Sequence, residues 1–270
     1  MKRFLLSVFT IAAVAGLAFG ATSAFFSDTE TSTGNTFAAG ELDLHIDNTS
    51  YLNGALNPGT TWEPSDLTNQ LFFNFLDVKP GDEGEDTVSI HVADNDAWAC
   101  VDIDITENDD VSCTEPELAD DGTCAEGDGV PDGDLTDGDL AGDLEFLFWT
   151  DDGDNVFEDD ETPLTQGLAS SVLNDVTWTL ADADENNVGG IDGDPLDGDT
   201  TYHIGKAWCF GDLTLDATAS GQGVNPTVDP GVECNGTLVD DASQSDKLMG
   251  DISFYAEQWR NNPNFQCGQD

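Results

Sequence analysis

One stretch groups hard oxygen ligands around a turn: Asp151-Asp152-Gly153-Asp154-Asn155, followed by Glu158, Asp159, Asp160 and Glu161. Calcium takes six to eight such oxygens at about 2.3–2.6 Å. Asp151, Asp152, Asp154, Asn155 and Glu158 are therefore the candidate calcium ligands. The spacing is not that of an EF-hand, which needs D-x-D-x-D-G and a glutamate at the twelfth position. The competing account is a solvated acidic turn in a chain full of them. Asp132–Asp139 and Asp192–Asp199 repeat Asp-Gly-Asp units and are weaker versions of the same idea.

Six cysteines follow: Cys100, Cys113, Cys124, Cys209, Cys234 and Cys267. An even number in a secreted chain points to three disulfides. Cys113 with Cys124 would close the acidic loop between them, and Cys234 with Cys267 is a second expected pair. Zinc is disfavoured, because there is no C-x-x-C pair and no nearby histidine. The three histidines, His45, His91 and His203, do not form H-E-x-x-H. There is no G-x-S-x-G elbow and no P-loop, so no catalytic residues and no enzyme activity are expected. Asn48-Thr-Ser and Asn235-Gly-Thr are glycosylation candidates.

The elements that would carry these groups are strands. Leu42, Leu44 and Ile46 alternate with polar residues, as do Val88, Ile90 and Val92, then Val101, Ile103 and Ile105. Val176, Trp178 and Leu180 repeat the pattern, as do Leu213, Leu215 and Ala217, then Ile252 and Phe254. A period of two marks half-buried strands. Leu71–Val78 and Leu144–Trp149 are apolar on both faces and read as central strands. Pro80-Gly81-Asp82 and Gly211-Asp212 read as turns. Helical periodicity is weak, with Leu164–Leu173 and a turn near Gln258–Asn262 the only candidates. Trp98, Trp149, Trp178 and Trp208 fall on strand-like stretches and are expected in the core. The fold expected is all-β, a jelly-roll-like β-sandwich with little helix. Acidic insertions at 107–143 and 181–200 are expected as surface loops on one domain spanning 41–270.

Ahead of that domain, Lys2 and Arg3 precede an apolar run from Phe4 to Phe19 and a small-residue exit at Thr22-Ser23-Ala24. This is the layout of a secretory signal peptide over residues 1–24, cut between Ala24 and Phe25. A retained membrane helix is the alternative. The run is slightly short for about 20 spanning residues, and Asp28 and Glu30 follow it. No second run of spanning length occurs, so no stable membrane span is expected after cleavage. The formal net charge is −50, from 6 Lys plus Arg against 56 Asp plus Glu. That excludes nucleic-acid binding, which needs cations to replace phosphate counterions. Such a charge repels itself unless screened, and in molar salt the Debye length falls to about 3 Å, so a salt-loving source is expected. An acidic calcium binder in ordinary salt is the bland alternative. Hydrophobic residues still make up 38% of the chain, enough to bury a core.

The signal, the Ala24-Phe25-Phe26-Ser27-Asp28 junction and Thr36-Phe37-Ala38-Ala39-Gly40-Glu41-Leu42-Asp43-Leu44 together resemble the TasA/camelysin family. Val78-Lys79-Pro80-Gly81-Asp82 fits the same pattern. Gly205-Lys206-Ala207-Trp208-Cys209-Phe210-Gly211 and Gln258-Trp259-Arg260-Asn261-Asn262 resemble its cysteine-containing archaeal branches. The resemblance implies a secreted jelly-roll subunit, processed by a signal peptidase and polymerised with its own kind into biofilm matrix fibres or bundling pili at the cell surface. It also implies that an N-terminal segment of one subunit completes the sheet of the next. Residues 25–40 form a polar, extended segment with Phe25, Phe26 and Phe37 as apolar anchors, suited to adding a strand to an open edge. An unstructured tail is the plain alternative. A monomeric calcium-binding or adhesive module and a camelysin-like metallopeptidase are the other readings. N-terminal sequencing of exported protein is expected to start at Phe25; material still beginning at Met1 would remove the processing on which the donor segment depends.

Overall fold

A computed structural model describes residues 42–113, 115–122, 138–221 and 226–269. The chain divides into Met1–Ala39 and Gly40–Asp270, and the first unit lies outside the described residues. The signal segment, its cleavage point and the donor anchors Phe25, Phe26 and Phe37 therefore lie outside them too.

Alternation drives the architecture. In β1 (Asp43–Leu52), β4 (Glu83–Ala93) and β5 (Ala97–Asp109), every second side chain faces one interior. The larger sheet runs β2 (Ala55–Leu56), β1, β4, β9 (Thr200–Phe210), β6 (Leu144–Asp151), β7 (Pro163–Leu168), with β3 (Trp62–Ser65) also on β1. The second sheet is β12 (Lys247–Gln258), β5, β8 (Val176–Ala181), and β10 (Asp212–Leu215) pairs β11 (Val232–Asn235) as a separate hairpin. All named pairings are antiparallel. The chain crosses between sheets from β4 to β5, β5 to β6, β7 to β8 and β8 to β9. Ile46, Val88, Ile90 and Ile204 from one sheet and Trp98, Val101, Ile103 and Ile105 from the other form one buried cluster. Phe148 meets Trp178 edge-on across the layers at 4.2 Å. The fold is a mostly-β, antiparallel sandwich, as the alternation predicts.

A second, smaller core covers the outer face of β6 and β9. Leu147, Trp149, Phe157, Ala207, Leu213 and Val232 meet there. Trp149 lies across β9 because its partner is Gly205: a Cβ there would sit 2.0 Å from the indole. On the inner face Trp208 crosses Gly84 in the same way. These glycines lose strand propensity, but they let two indoles lie flat against the sheet. Trp98, Trp149, Trp178 and Trp208 pack in the core as expected, the first two and the last at most 3% exposed and Trp178 partly buried against it.

Several expectations need correction. Leu71–Val78 is not a strand. It is an irregular segment with Leu71 and Leu76 exposed, while Phe72, Phe73 and Phe75 drop into the sandwich against Trp62, Phe146 and Trp208. The apolar run marked core plugs, not ladder pairing. The first half of Leu164–Leu173 is strand β7, and only Ala169–Val172 is helical. The first insertion starts later than residue 107, because β5 continues to Asp109 against β12. The second is bounded closely by β8 and β9, but it is docked rather than loose: Leu196 is buried and bridges Ala97.

The disulfides are Cys100–Cys267 and Cys209–Cys234, which replaces the expected Cys234–Cys267 pair. Strand register decides this: Cys209 lies next to the end of β9, beside the hairpin that holds Cys234, while Cys267 lies over β5 with its sulfur near the Ala99 carbonyl. In the chain-entropy account the long loop is worth about 5 kcal/mol and the short one about 3.5. Cys113 is also disulfide-bonded, and Cys124 lies outside the described residues.

Glu85, on the outer face of β4, is 1% exposed and its Oε2 has no hydrogen-bond partner. Burial, then the charges of Glu83 and Asp86, push its carboxyl from 4.5 up to about 8. Between those values the folded state holds a proton that the unfolded chain gives up. Stability from this group is therefore greatest below 4.5 and is lost as pH rises towards 8. Glu85→Gln is expected to flatten the fall of the melting temperature between pH 5 and 8; parallel profiles for the two proteins would show that Glu85 does not titrate in this way.

Candidate functional site

The two sheets do not close on each other along one side. β12 pairs with β5 on one edge only, and no described residue pairs with its other edge. Across from it, the start of β1 lies ahead of the residues that β3 covers, Ile46 to Asn48. The result is an open groove of about 460 Å³ lined by Leu42, Leu44, Ile46 and Leu67 on one wall and Ile252, Phe254 and Ala256 on the other. The lining is apolar because these are the inward positions of alternating strands. Asp66, Ser253 and Tyr255 add polar groups to the lining. A twelve-residue strand whose outer edge no described strand pairs is what sheets ordinarily protect. The groove opens where the described chain begins, at Leu42.

The acidic turn after β6 is ordered by its own carboxylates. Asp151 Oδ2 accepts from Thr87 Oγ1 at 2.9 Å and from the Asn155 amide at 3.4 Å. Glu161 accepts from the amides of Asp152 at 3.0 Å and Glu158 at 2.9 Å. Gly153 and Asn155 take positive φ, which lets the backbone wrap inward. Asp151, Asp152 and Glu161 bring ligand oxygens within 4.8 Å of one another. Glu161 thus joins the group, although its distance in sequence from the Asp-Gly turn hid it from the ligand set read there. Asp154 caps Val156 through its Oδ1, and Glu158 Oε2 accepts from Gly221. Asn155 is 3% exposed, and neither atom of its side-chain amide has a partner. Asp151 Oδ1 is likewise inaccessible and unpartnered. Burial above all, with mutual repulsion added, raises the carboxyls of Asp151, Asp154 (to about 6) and Glu161 (to about 8).

Two further groups were not legible as clusters. Asp110, Glu117 and Asp246 converge within 4.8 Å, drawn from the end of β5, a short 3-10 turn (Glu117–Ala119) and the start of β12. Asp246 Oδ2 accepts from the amides of Asp139 and Leu140, anchoring the turn before β6. Burial first, then Asp110, pushes the Asp246 carboxyl to about 8. At the groove rim, His45 lies 3.7 Å from both Asp43 and Asp66. His91 instead pairs with Asp47 at 2.6 Å, and His203 meets Ser89. The three histidines thus sit on three different strands.

The glycosylation candidates separate. Asn48 is 0% exposed, with Nδ2 donating inward to the Thr60 carbonyl and Asp86, so a glycan there is ruled out by burial. Asn235 is exposed at the end of β11. Among the described residues no helix is long and apolar enough to cross a membrane.

Residues 1–79 match the family model described as camelysin metallo-endopeptidase. No curated protein matches the chain.

Proposed function

We propose that this chain, whose first 79 residues carry the TasA/camelysin match, is an exported structural subunit that polymerises into extracellular filaments. The observation that supports this most directly is the open groove beside β12. Its proposed occupant is residues 25–40 of a second copy, released by signal peptidase. Fully extended, those residues reach about 50 Å, against about 40 Å for the twelve residues of β12. They would add main-chain hydrogen bonds along the edge of β12 that no described strand pairs and seat apolar anchors in the groove. The disulfides suit an oxidising, extracellular compartment. The charge of −50 suits a fibre assembled at high salt, where repulsion between neighbours is screened.

The family description raises metallo-endopeptidase chemistry. Among the described residues, Asp43, His45 and Asp66 are the one ligand group that contains a histidine. They do not fit a catalytic zinc. Their side chains are 45%, 36% and 77% exposed, and a working site needs a dry, shaped cavity and further shell residues. No catalytic step is assigned to them.

Calcium is proposed as a structural ion of the Asp151 turn. The orphaned side-chain oxygens Asn155 Oδ1 and Asp151 Oδ1 supply the reason, since an ion there would give both a partner and offset three neighbouring carboxylates.

Electron microscopy of mature protein is expected to show fibres that are lost on deleting residues 25–36, and lost again in Phe254→Glu while the subunit stays folded. Normal fibres from the deletion would rule the donor role out. Calcium added to chelated protein is expected to raise the melting temperature, by about 2.7 kcal/mol of stability at a hundredfold excess over Kd, with Glu161→Gln blunting the effect. No shift across the millimolar range would count against the ion.

A further inference from the structure

A lysine lies in the centre of the sandwich, in a chain with only 6 Lys plus Arg against 56 acids. Lys206 on β9 and Asp86 on β4 are register partners, and Nζ lies 2.8 Å from Oδ2. Their side chains are 1% and 0% exposed. Removing both charges from water costs more than their attraction returns unless other bonds complete the site. The surroundings are sparse in such bonds. Phe72 contributes a carbonyl at 3.4 Å from Nζ, and the Phe73 ring centre lies 3.8 Å from it. Val88, Ile103, Phe148 and Trp178 line a small apolar cavity together with Lys206. The exception is Asn48, itself 0% exposed, whose Nδ2 donates to Asp86 Oδ1 at 3.1 Å.

We propose that Lys206 and Asp86 condense into an intramolecular amide that joins β4 to β9 covalently inside the core. Burial lowers the proton affinity of the Lys206 amine, so passing a proton to the adjacent carboxylate leaves a neutral amine facing a carboxylic acid. The amine lone pair attacks Asp86 Cγ, held in contact by strand register rather than by chance encounter. Negative charge gathers on Oδ1, where the Asn48 Nδ2–H already points. Oδ2 leaves as water, carrying the two protons that Nζ gives up. One ammonium and one carboxylate become one amide and one water. A C–N bond forms, a C–O bond breaks, and no oxidant or co-reactant is needed. The product removes a buried ion pair and places an amide among apolar side chains, where water for the reverse step is scarce.

This bond does not depend on the filament reading, because it belongs to a single subunit. Intact mass of the purified protein, reduced and denatured, tests it against the mass calculated from its measured N-terminus. The expected value is lower by about 18 Da, one water, and peptide fragmentation should find a branched product joining the Asp86 and Lys206 segments. Lys206→Met should restore the full mass, which is read under denaturing conditions whether or not that variant folds. A full-mass wild type overturns the proposal. So does a deficit that persists in Lys206→Met, which would place dehydration at another site such as an Asp-Gly pair. A loss of about 17 Da, one ammonia, mapped to Asn48 would also overturn it, by making the carboxamide the acyl partner.

Discussion

The pairing of β4 with β9 is the contact on which the rest of the sandwich depends. Ten register pairs run from Glu83↔Cys209 to Val92↔Thr200. The inner face of that ribbon supplies Val88, Ile90, Ile204 and Trp208 to the main core, together with the Asp86–Lys206 pair. Its outer face supplies Ala207 and Cys209 to the smaller core and carries the disulfide that holds the β10–β11 hairpin. β1 and β6 then attach to its two edges. A strand buried on both faces cannot tolerate a misplaced register, because one residue of slip would turn Lys206 outward and Ala207 inward. Gly84 and Gly205 add a steric condition of their own, since each admits one indole and leaves no room for a Cβ.

Charge is the opposing constraint. Nearly all of the excess acid must stay at the surface, and where carboxylates gather they are stabilised locally by main-chain amides rather than by lysine. Asp182 shows the device plainly: its oxygens accept from the amides of Asp184, Glu185 and Cys267. Asp246 and Glu161 do the same for their own turns. A chain so poor in cations uses backbone dipoles in their place, and bonds of this charge-assisted kind are shorter and stronger than neutral ones. The same shortage makes a lysine in the core stand out.

The groove and the acidic turns differ in how far they could be read in advance. Ile252 and Phe254 were recognisable as the inward face of a strand, but nothing in their spacing says that β12 ends the sheet. That depends on which strands pair, a property of the whole chain. The Asp151 turn was recognisable from composition, whereas Glu161 entered only because the loop folds back to place its oxygens over the Asp152 and Glu158 amides. Asp110, Glu117 and Asp246 carried no local signal, since they come from three separate elements.

Alternation of apolar and polar residues by itself determined that this protein is a β-sandwich, where most of its strands lie, and that four tryptophans enter its core. The period of two is a local consequence of the pleat, so it survives in any register. Composition likewise determined the extreme charge and the even set of cysteines. The tertiary structure alone decided that Leu71–Val78 plugs the core instead of pairing, that Cys267 joins Cys100, that Asn48 is hidden, and that Lys206 meets Asp86. Each of these depends on which distant strands become neighbours, and in an antiparallel sandwich with crossing connections sequence distance carries no information about that.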